Sequence, residues 1–174
     1  MKAVLVRHTH IEGNAGLCYG RCDLPLAKTF DAEAHAVALK LPFVPETIWS
    51  SPASRCVRLA ERLGKGRKVS TDPRLAELHF GEWEGRPWEE LRGPAVDAWM
   101  NDPWRARPPG GETVPEMLER VRAFRDHLLD RPEKHVVLVT HAGVIRAWRS
   151  LAEKRPLAEL FDLKIGYGEV VEAR

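Results

Sequence analysis

Two short runs of contiguous apolar residues, Ala3 to Val6 and Val136 to Val139, are each cut off abruptly by polar residues at their carboxyl side. Neither alternates, so each predicts a strand buried on both faces, as in a parallel sheet covered by helices. The first run leads into Arg7-His8 and the second into Thr140-His141, so two buried strands each deliver a histidine at the carboxyl end. Thr47 to Ser50 reads as a third strand and Lys68 to Thr71 as a weak fourth. Glu169 to Glu172 reads as a last strand at an edge, where its charges reach water.

Between the strands the apolar period lengthens to that of a helix. Cys56, Leu59, Ala60 and Leu63 fall at i, i+3, i+4 and i+7, one stripe facing the sheet. Ser51-Pro52 predicts the start of this helix, with Ser51 as N-cap and Pro52 in the first helical position, and the helix runs to about Gly64. A second helix is expected over about Thr29 to Leu41, an alanine-rich stretch. Thr113-Val114-Pro115-Glu116 is a capping box, followed by a stripe of Met117, Val121, Phe124 and Leu128 that Pro132 terminates. The alternation predicts an α/β fold, a three-layer α/β/α sandwich with a largely parallel central sheet. Ligands of such sheets sit at the carboxyl ends of the strands, where His8, Arg55 and His141 are placed.

The stretch from about 79 to 111 breaks the pattern. It holds Trp83, Trp88, Trp99 and Trp104 and closes with Pro108-Pro109-Gly110-Gly111. It reads as an excursion over the sheet, which either packs as a small satellite cluster or supplies an apolar wall to a pocket.

Composition narrows the function classes. With 174 residues, 44% apolar and 30% charged, the chain is an ordinary globular domain, expected to be one unit over 1–174. Lys+Arg 27 against Asp+Glu 25 leaves a net charge of +2, too small a basic excess for a nucleic-acid partner. No apolar run approaches the roughly 20 residues of a membrane span, and the expected compartment is the cytoplasm. Three cysteines, Cys18, Cys22 and Cys56, cannot all pair within one chain, which agrees with a reducing compartment. The Cys18/Cys22 spacing lacks a second ligand pair, and clustered arginines repel a divalent cation, so no metal and no cofactor is expected.

Arg7-His8 carries the first chemistry: an imidazole beside a guanidinium can attack an electrophile while the cation holds an anion against it, and phosphate is the natural anion. Arg55 adds a second guanidinium near a helix start, where the dipole also favours negative charge, and His141 adds a further donor. The expected ligand carries a phosphate, and the oligomeric state is left open.

With these residues the sequence resembles the histidine phosphatase superfamily, the phosphoglycerate mutase-like proteins, over almost its whole length. Leu5-Val6-Arg7-His8, with Asn14 behind it, is similar to the family's Arg-His-Gly signature and its usual asparagine. Ser50 to Arg55, Leu75 to Gly85, Gly110 to Thr113 and Val139 to Arg146 then follow in family order. Thr9 stands where the family has glycine and His10 where an acidic residue is common. Threonine disfavours positive φ, so the loop after His8 is expected to use an ordinary backbone conformation. The Arg7-His8-Thr9 start and the Gly16 to Leu26 stretch resemble one branch, the α-ribazole phosphatases.

The resemblance makes that ligand a small-molecule phosphomonoester and implies a metal-independent phosphomonoesterase in which His8 is the nucleophile and forms a phosphohistidine. Its other ring nitrogen is expected to bond a loop carbonyl that fixes the tautomer. Arg7, Arg55 and His141 would hold the phosphoryl oxygens, and Glu77 would protonate the leaving alkoxide. Glu82 and Glu84 in the same segment are read as solvated loop carboxylates. Asn14 either bonds the phosphoryl group or shapes the loop, and Ala142, after His141, is a further substrate contact. The alternative within the family is a broad-specificity or protein phosphohistidine phosphatase. A silent phosphate-binding protein on the same fold fits less well, since His8, Arg7, Arg55, Glu77 and His141 are all present.

Overall fold

The structure, a computed structural model, describes residues 1–173. Its elements alternate as the apolar pattern requires: β1 (Lys2–Arg7), α1 (Phe30–Lys40), β2 (Thr47–Ser50), α2 (Ser54–Gly64), β3 (Val69–Thr71), α3 (Pro94–Asn101), α4 (Val114–Leu129), β4 (His135–Thr140), α5 (Ala142–Glu153) and β5 (Val170–Glu172). The five strands form one sheet in the order β3-β2-β4-β1-β5. All neighbours are parallel except β5, an antiparallel edge strand on β1.

Successive side chains of a strand point to opposite faces, and the two unalternating runs fill both. Val4, Val6, Val137 and Val139 pack with Ile48 against α1 and α2, where Phe30, Val37, Cys56, Leu59 and Leu63 are buried. Leu5, Val136 and Leu138 face α4 and α5 and pack with Met117, Val121, Phe124 and Ile145. This is the α/β/α layering. Among the described residues no helix is long and apolar enough to cross a membrane.

Two local expectations fail. Helix α2 begins at Ser54, with Ala53 in the cap position and no side-chain cap, so Ser51 is not its N-cap and Pro52 lies outside it. The Ser51 hydroxyl is instead engaged by His141 at 2.8 Å, the stronger of its contacts; Ala53 N–H lies 3.3 Å away. Of the two readings of the tryptophan-rich excursion, the satellite cluster fails. The excursion contains α3, and Trp83, Leu91, Val96 and Trp99 join the same core as Phe124 and Leu138 rather than a satellite cluster. The eight residues of α3 are too few for a periodicity reading to find. The capping box of Thr113 and Glu116 forms as expected, with Glu116 N–H donating to Thr113 Oγ1 and Thr113 N–H to the Glu116 carboxylate.

Candidate active site

Strands β1 and β4 are adjacent, parallel and in register, with Arg7 opposite Thr140. The residues that follow therefore leave the sheet side by side. His8 N–H donates to the Thr140 carbonyl (3.0 Å), and the His8 and His141 rings lie 5.3 Å apart at 64°.

His8 is 2% exposed. Its Nδ1 lies 2.8 Å from the Thr9 carbonyl, an acceptor only, so Nδ1–H donates and Nε2 keeps a free lone pair. Burial above all, then the positive charge of Arg55, pushes the imidazole pKa down to about 3, against the opposing pull of the Thr9 carbonyl. His8 is thus neutral at physiological pH. Thr9 reaches this position without positive φ, which among the described non-glycine residues occurs at Lys65 and Lys154.

His141 precedes α5 and is fully buried. Arg55 Nη2 can only donate, and at 3.4 Å it faces His141 Nδ1, so Nδ1 accepts and Nε2–H donates to Ser51 Oγ at 2.8 Å. Burial, and then the neighbouring His8 and Arg55, hold the His141 pKa well below its ordinary value. Cys56 Sγ lies 3.5 Å behind Nε2; burial pushes this thiol up to about 12, so it remains uncharged. Ala142 opens α5, where the first N–H groups have no intrahelical acceptor.

Arg55 sits in the first turn of α2 and is completely buried. It is held by main-chain carbonyls, Nη2 to Gly20 O (2.6 Å) and Nη1 to Cys22 O (2.9 Å), and its nearest carboxylate, the exposed Asp23, is 3.7 Å away. Arg7 is fixed likewise: Nη1 donates to Ile165 O (2.5 Å) and the guanidinium stacks 3.8 Å from the centre of the Tyr167 ring. The Nε atoms of both arginines are buried without a hydrogen-bond partner.

Tyr167 is one residue of the cluster that sequence reasoning missed. Its hydroxyl accepts from Asn14 Nδ2 (2.8 Å) and pairs with the Tyr19 hydroxyl (2.9 Å), so in this structure the Asn14 amide is turned to the phenol. His10 stacks on the same ring (4.3 Å) and pairs with Glu33, with its side chain 59% exposed. Gly168 N–H, shared between the carbonyls of Arg7 and His8, brings Tyr167 to the site. Nothing in the spacing of Gly166-Tyr167-Gly168 announces that return.

Glu77 accepts from Leu78 N–H at Oε1 (3.0 Å) and from Gly143 N–H at Oε2 (3.1 Å). A Cβ at Gly143 would lie 2.2 Å from Oε1, so only glycine lets the carboxylate reach the start of α5. The segment carrying Glu77 is clamped by Arg120 of α4, which donates to the carbonyls of Arg74 (2.8 Å), Ala76 (2.6 Å) and Glu77 (3.1 Å) and pairs with Glu112. Thr140 Oγ1 adds a bond to Leu75 O (2.7 Å). Arg120 has no motif neighbour in the sequence and was not foreseen.

Glu84 departs from expectation. Glu82 is exposed, but Glu84 is half-buried and accepts four backbone N–H groups, from Gly20, Arg21, Cys22 and Phe80, at 2.9 to 3.1 Å. Burial pushes its pKa up, and the four N–H groups together outweigh this and hold it below the usual carboxylate range.

A cavity of about 280 Å³ opens from this cluster. Arg7, His8, Glu77 and His141 line one end; Phe80, Trp88, Trp99, Met117, Leu157 and Phe161 line the other. Of the four tryptophans, Trp83 stands behind the wall in contact with Trp88 and Trp99, and Trp104 packs on Phe161.

Comparison with known proteins gives the same picture. The model of the histidine phosphatase superfamily, branch 1, matches residues 3–174. A glucosyl-3-phosphoglycerate phosphatase of Mycobacterium tuberculosis is 32% identical over 173 residues, covering 90% of this chain and 77% of its own. An adenosylcobalamin/α-ribazole phosphatase of Salmonella typhimurium is 28% identical over 176 residues, covering 97% and 87%. The structure of the α-ribazole phosphatase of Shigella flexneri superposes with a TM-score of 0.92 at 24% identity, over 99% of this chain and 89% of that one, which establishes the shared phosphoglycerate mutase-like fold. The chain belongs to the histidine phosphatase superfamily, branch 1, and is a phosphatase.

Proposed function

We propose that this chain hydrolyses a phosphomonoester through a phosphohistidine on His8, and that its substrate is α-ribazole 5′-phosphate. The observation that carries the chemistry is a neutral, buried imidazole with a free Nε2, set beside the fully buried guanidinium of Arg55 and the part-buried one of Arg7, which carboxylates leave almost unpaired. Buried, uncompensated cations are costly, and a phosphate dianion offsets them.

In the first displacement His8 Nε2 attacks phosphorus, the bond to the alkyl oxygen breaks, and the departing oxygen takes the proton of the Glu77 carboxyl. Arg7, Arg55 and His141 hold the three remaining oxygens, with Ala142 N–H at the head of α5 as a further donor. His141 is unprotonated at Nδ1 beside Arg55, so it serves a phosphoryl oxygen as a donor once the bound dianion favours its protonated form. In the second displacement water attacks phosphorus and gives its proton to Glu77, the P–N bond breaks, and phosphate leaves. Asn14 acts through Tyr167, steadying the ring on which Arg7 stacks.

The aromatic wall of Trp88 and Trp99 suits a benzimidazole, and the Salmonella relative shares the branch that the Gly16 to Leu26 stretch resembles. One observation favours a second reading. Arg146 lines the cavity, and among the described residues its guanidinium is bonded only through Nε, to Leu163 O at 2.9 Å. A carboxylate on the leaving group would suit it, as in a glucosyl-3-phosphoglycerate.

Acid-quenched trapping with ³²P-labelled substrate, together with kcat/KM for both esters and for glycerol phosphate, tests the proposal. The expected result is label on the wild-type chain and a preference for α-ribazole 5′-phosphate. Preference for glucosyl-3-phosphoglycerate overturns the substrate and keeps the mechanism; turnover without trapped label overturns the mechanism.

A further inference from the structure

The N–H groups of the main-chain loop that holds Arg55 converge on a single carboxylate. Gly20 O and Cys22 O accept from the guanidinium at 2.6 and 2.9 Å. The N–H groups of these two residues and of Arg21 between them all turn to Glu84. The Gly20 carbonyl and the Arg21 N–H belong to one planar trans peptide unit, so they point in opposite directions. That one unit therefore has a buried cation at its oxygen and a carboxylate at its nitrogen, with its dipole aligned between them. Three successive N–H groups closing on one anion make a backbone nest.

The fit leaves no slack. A Cβ at Gly20 would lie 1.9 Å from Leu78 O and 3.0 Å from Glu84 Oε1. Phe80 N–H reaches the same carboxylate (3.0 Å), and Gly85 N–H reaches Cys18 O (2.8 Å), which ties the loop to the Glu77 segment.

We infer that Glu84 is a positioning residue for phosphate binding, setting the Gly20–Cys22 loop whose carbonyls aim the Arg55 guanidinium. It touches neither substrate nor reacting atoms. The inference rests on the proposed phosphate role of Arg55 and adds a second tier to it. Glutamine cannot replace the carboxylate, because it offers one acceptor oxygen to four N–H groups and sets an NH₂ against them.

The test is a double-mutant cycle read by equilibrium binding of orthovanadate, which needs no turnover. Glu84→Gln is expected to weaken vanadate binding about tenfold or more in the wild-type background and by less than twofold in an Arg55→Ala chain, since the residue it positions is then gone. Equal weakening in both backgrounds would reveal a role in general folding only, and unchanged binding by Glu84→Gln in the wild-type background would deny any role; either overturns the inference. If Glu84→Gln does not fold, Glu84→Asp, which keeps the charge on a shorter stem, is carried through the same cycle with the same criteria. Arg55→Ala binding vanadate as tightly as the wild type would refute the phosphate role of Arg55 itself, and the inference with it, while a cycle that fails with Arg55→Ala still weakened leaves that role standing.

Discussion

At the polar end of the cavity, the proposed phosphate end, the side chains are held largely by main-chain atoms: His8 by Thr9 O, Arg7 by Ile165 O, Glu77 by the N–H groups of Leu78 and Gly143, and Arg55, buried beside His141 and off the cavity lining, by Gly20 O and Cys22 O. At the other end Phe80, Trp88 and Trp99 meet edge to face, with ring centres 5.7 Å apart for Phe80 with each tryptophan, and side chains alone define the wall. Except at Gly20 and Gly143, where a Cβ would clash, main-chain contacts survive substitution of the residues that supply them, whereas an aromatic wall is rebuilt by any change of side chain. On the proposed function, this difference would let relatives with different substrate names share the fold, with the phosphate end fixing the reaction and the apolar end selecting the alcohol.

Removal of the proposed nucleophile tests that division most severely. His8→Ala should lose trapped phosphoenzyme and drop kcat/KM by about 10⁴-fold or more for every ester, because the apolar end contributes nothing to the attack. Label retained by this variant would identify another nucleophile. Glu77→Gln should slow an alkyl phosphate by about 10²- to 10⁴-fold and p-nitrophenyl phosphate hardly at all, since that leaving group departs as a stable anion. Equal losses on both esters would remove Glu77 from the proton-donor role.

The buried imidazoles also tie stability to pH. The His8 pKa is depressed on folding from 6.5 to about 3, so below about pH 6.5 the unfolded chain binds a proton that the folded chain refuses, and stability falls as pH drops. For His8 alone the loss between pH 8 and pH 5 should be about 2 kcal/mol. Urea melts of the wild type and His8→Gln at both pH values should differ by that amount; parallel behaviour of the two would show that His8 titrates normally. The smallest effect belongs to the apolar end. Trp88→Leu should reduce the preference for α-ribazole 5′-phosphate over glycerol phosphate by about tenfold, a stacking contribution, with glycerol phosphate turnover little changed. A uniform loss on both substrates would mean that the wall supports the phosphate end rather than selecting the alcohol.

Much of this was legible in the chain. The two unalternating apolar runs determined a buried parallel sheet and set His8 and His141 each at a strand's carboxyl end, because strand burial and side-chain period are local properties of sequence; that the two strands are neighbours was decided by the sheet order. Glu77 came from an ordered set of segments rather than from any property that separates one loop carboxylate from another. Burial and partner decided the rest. Glu82 and Glu84 stand two residues apart with the same chemistry, yet only Glu84 turns back on four N–H groups from the Gly20–Cys22 loop and Phe80. Ser51 carried a good cap signature and was taken by His141, 90 residues away. Tyr167 reaches Arg7 from the far end of the chain, and Arg120 grips the backbone before Glu77 from a helix that the capping box placed correctly but could not aim. Local propensity and periodicity fix which elements form. Which of several like side chains a long-range backbone carbonyl or N–H group will meet depends on the packing of those elements, and that is decided only when the chain has folded.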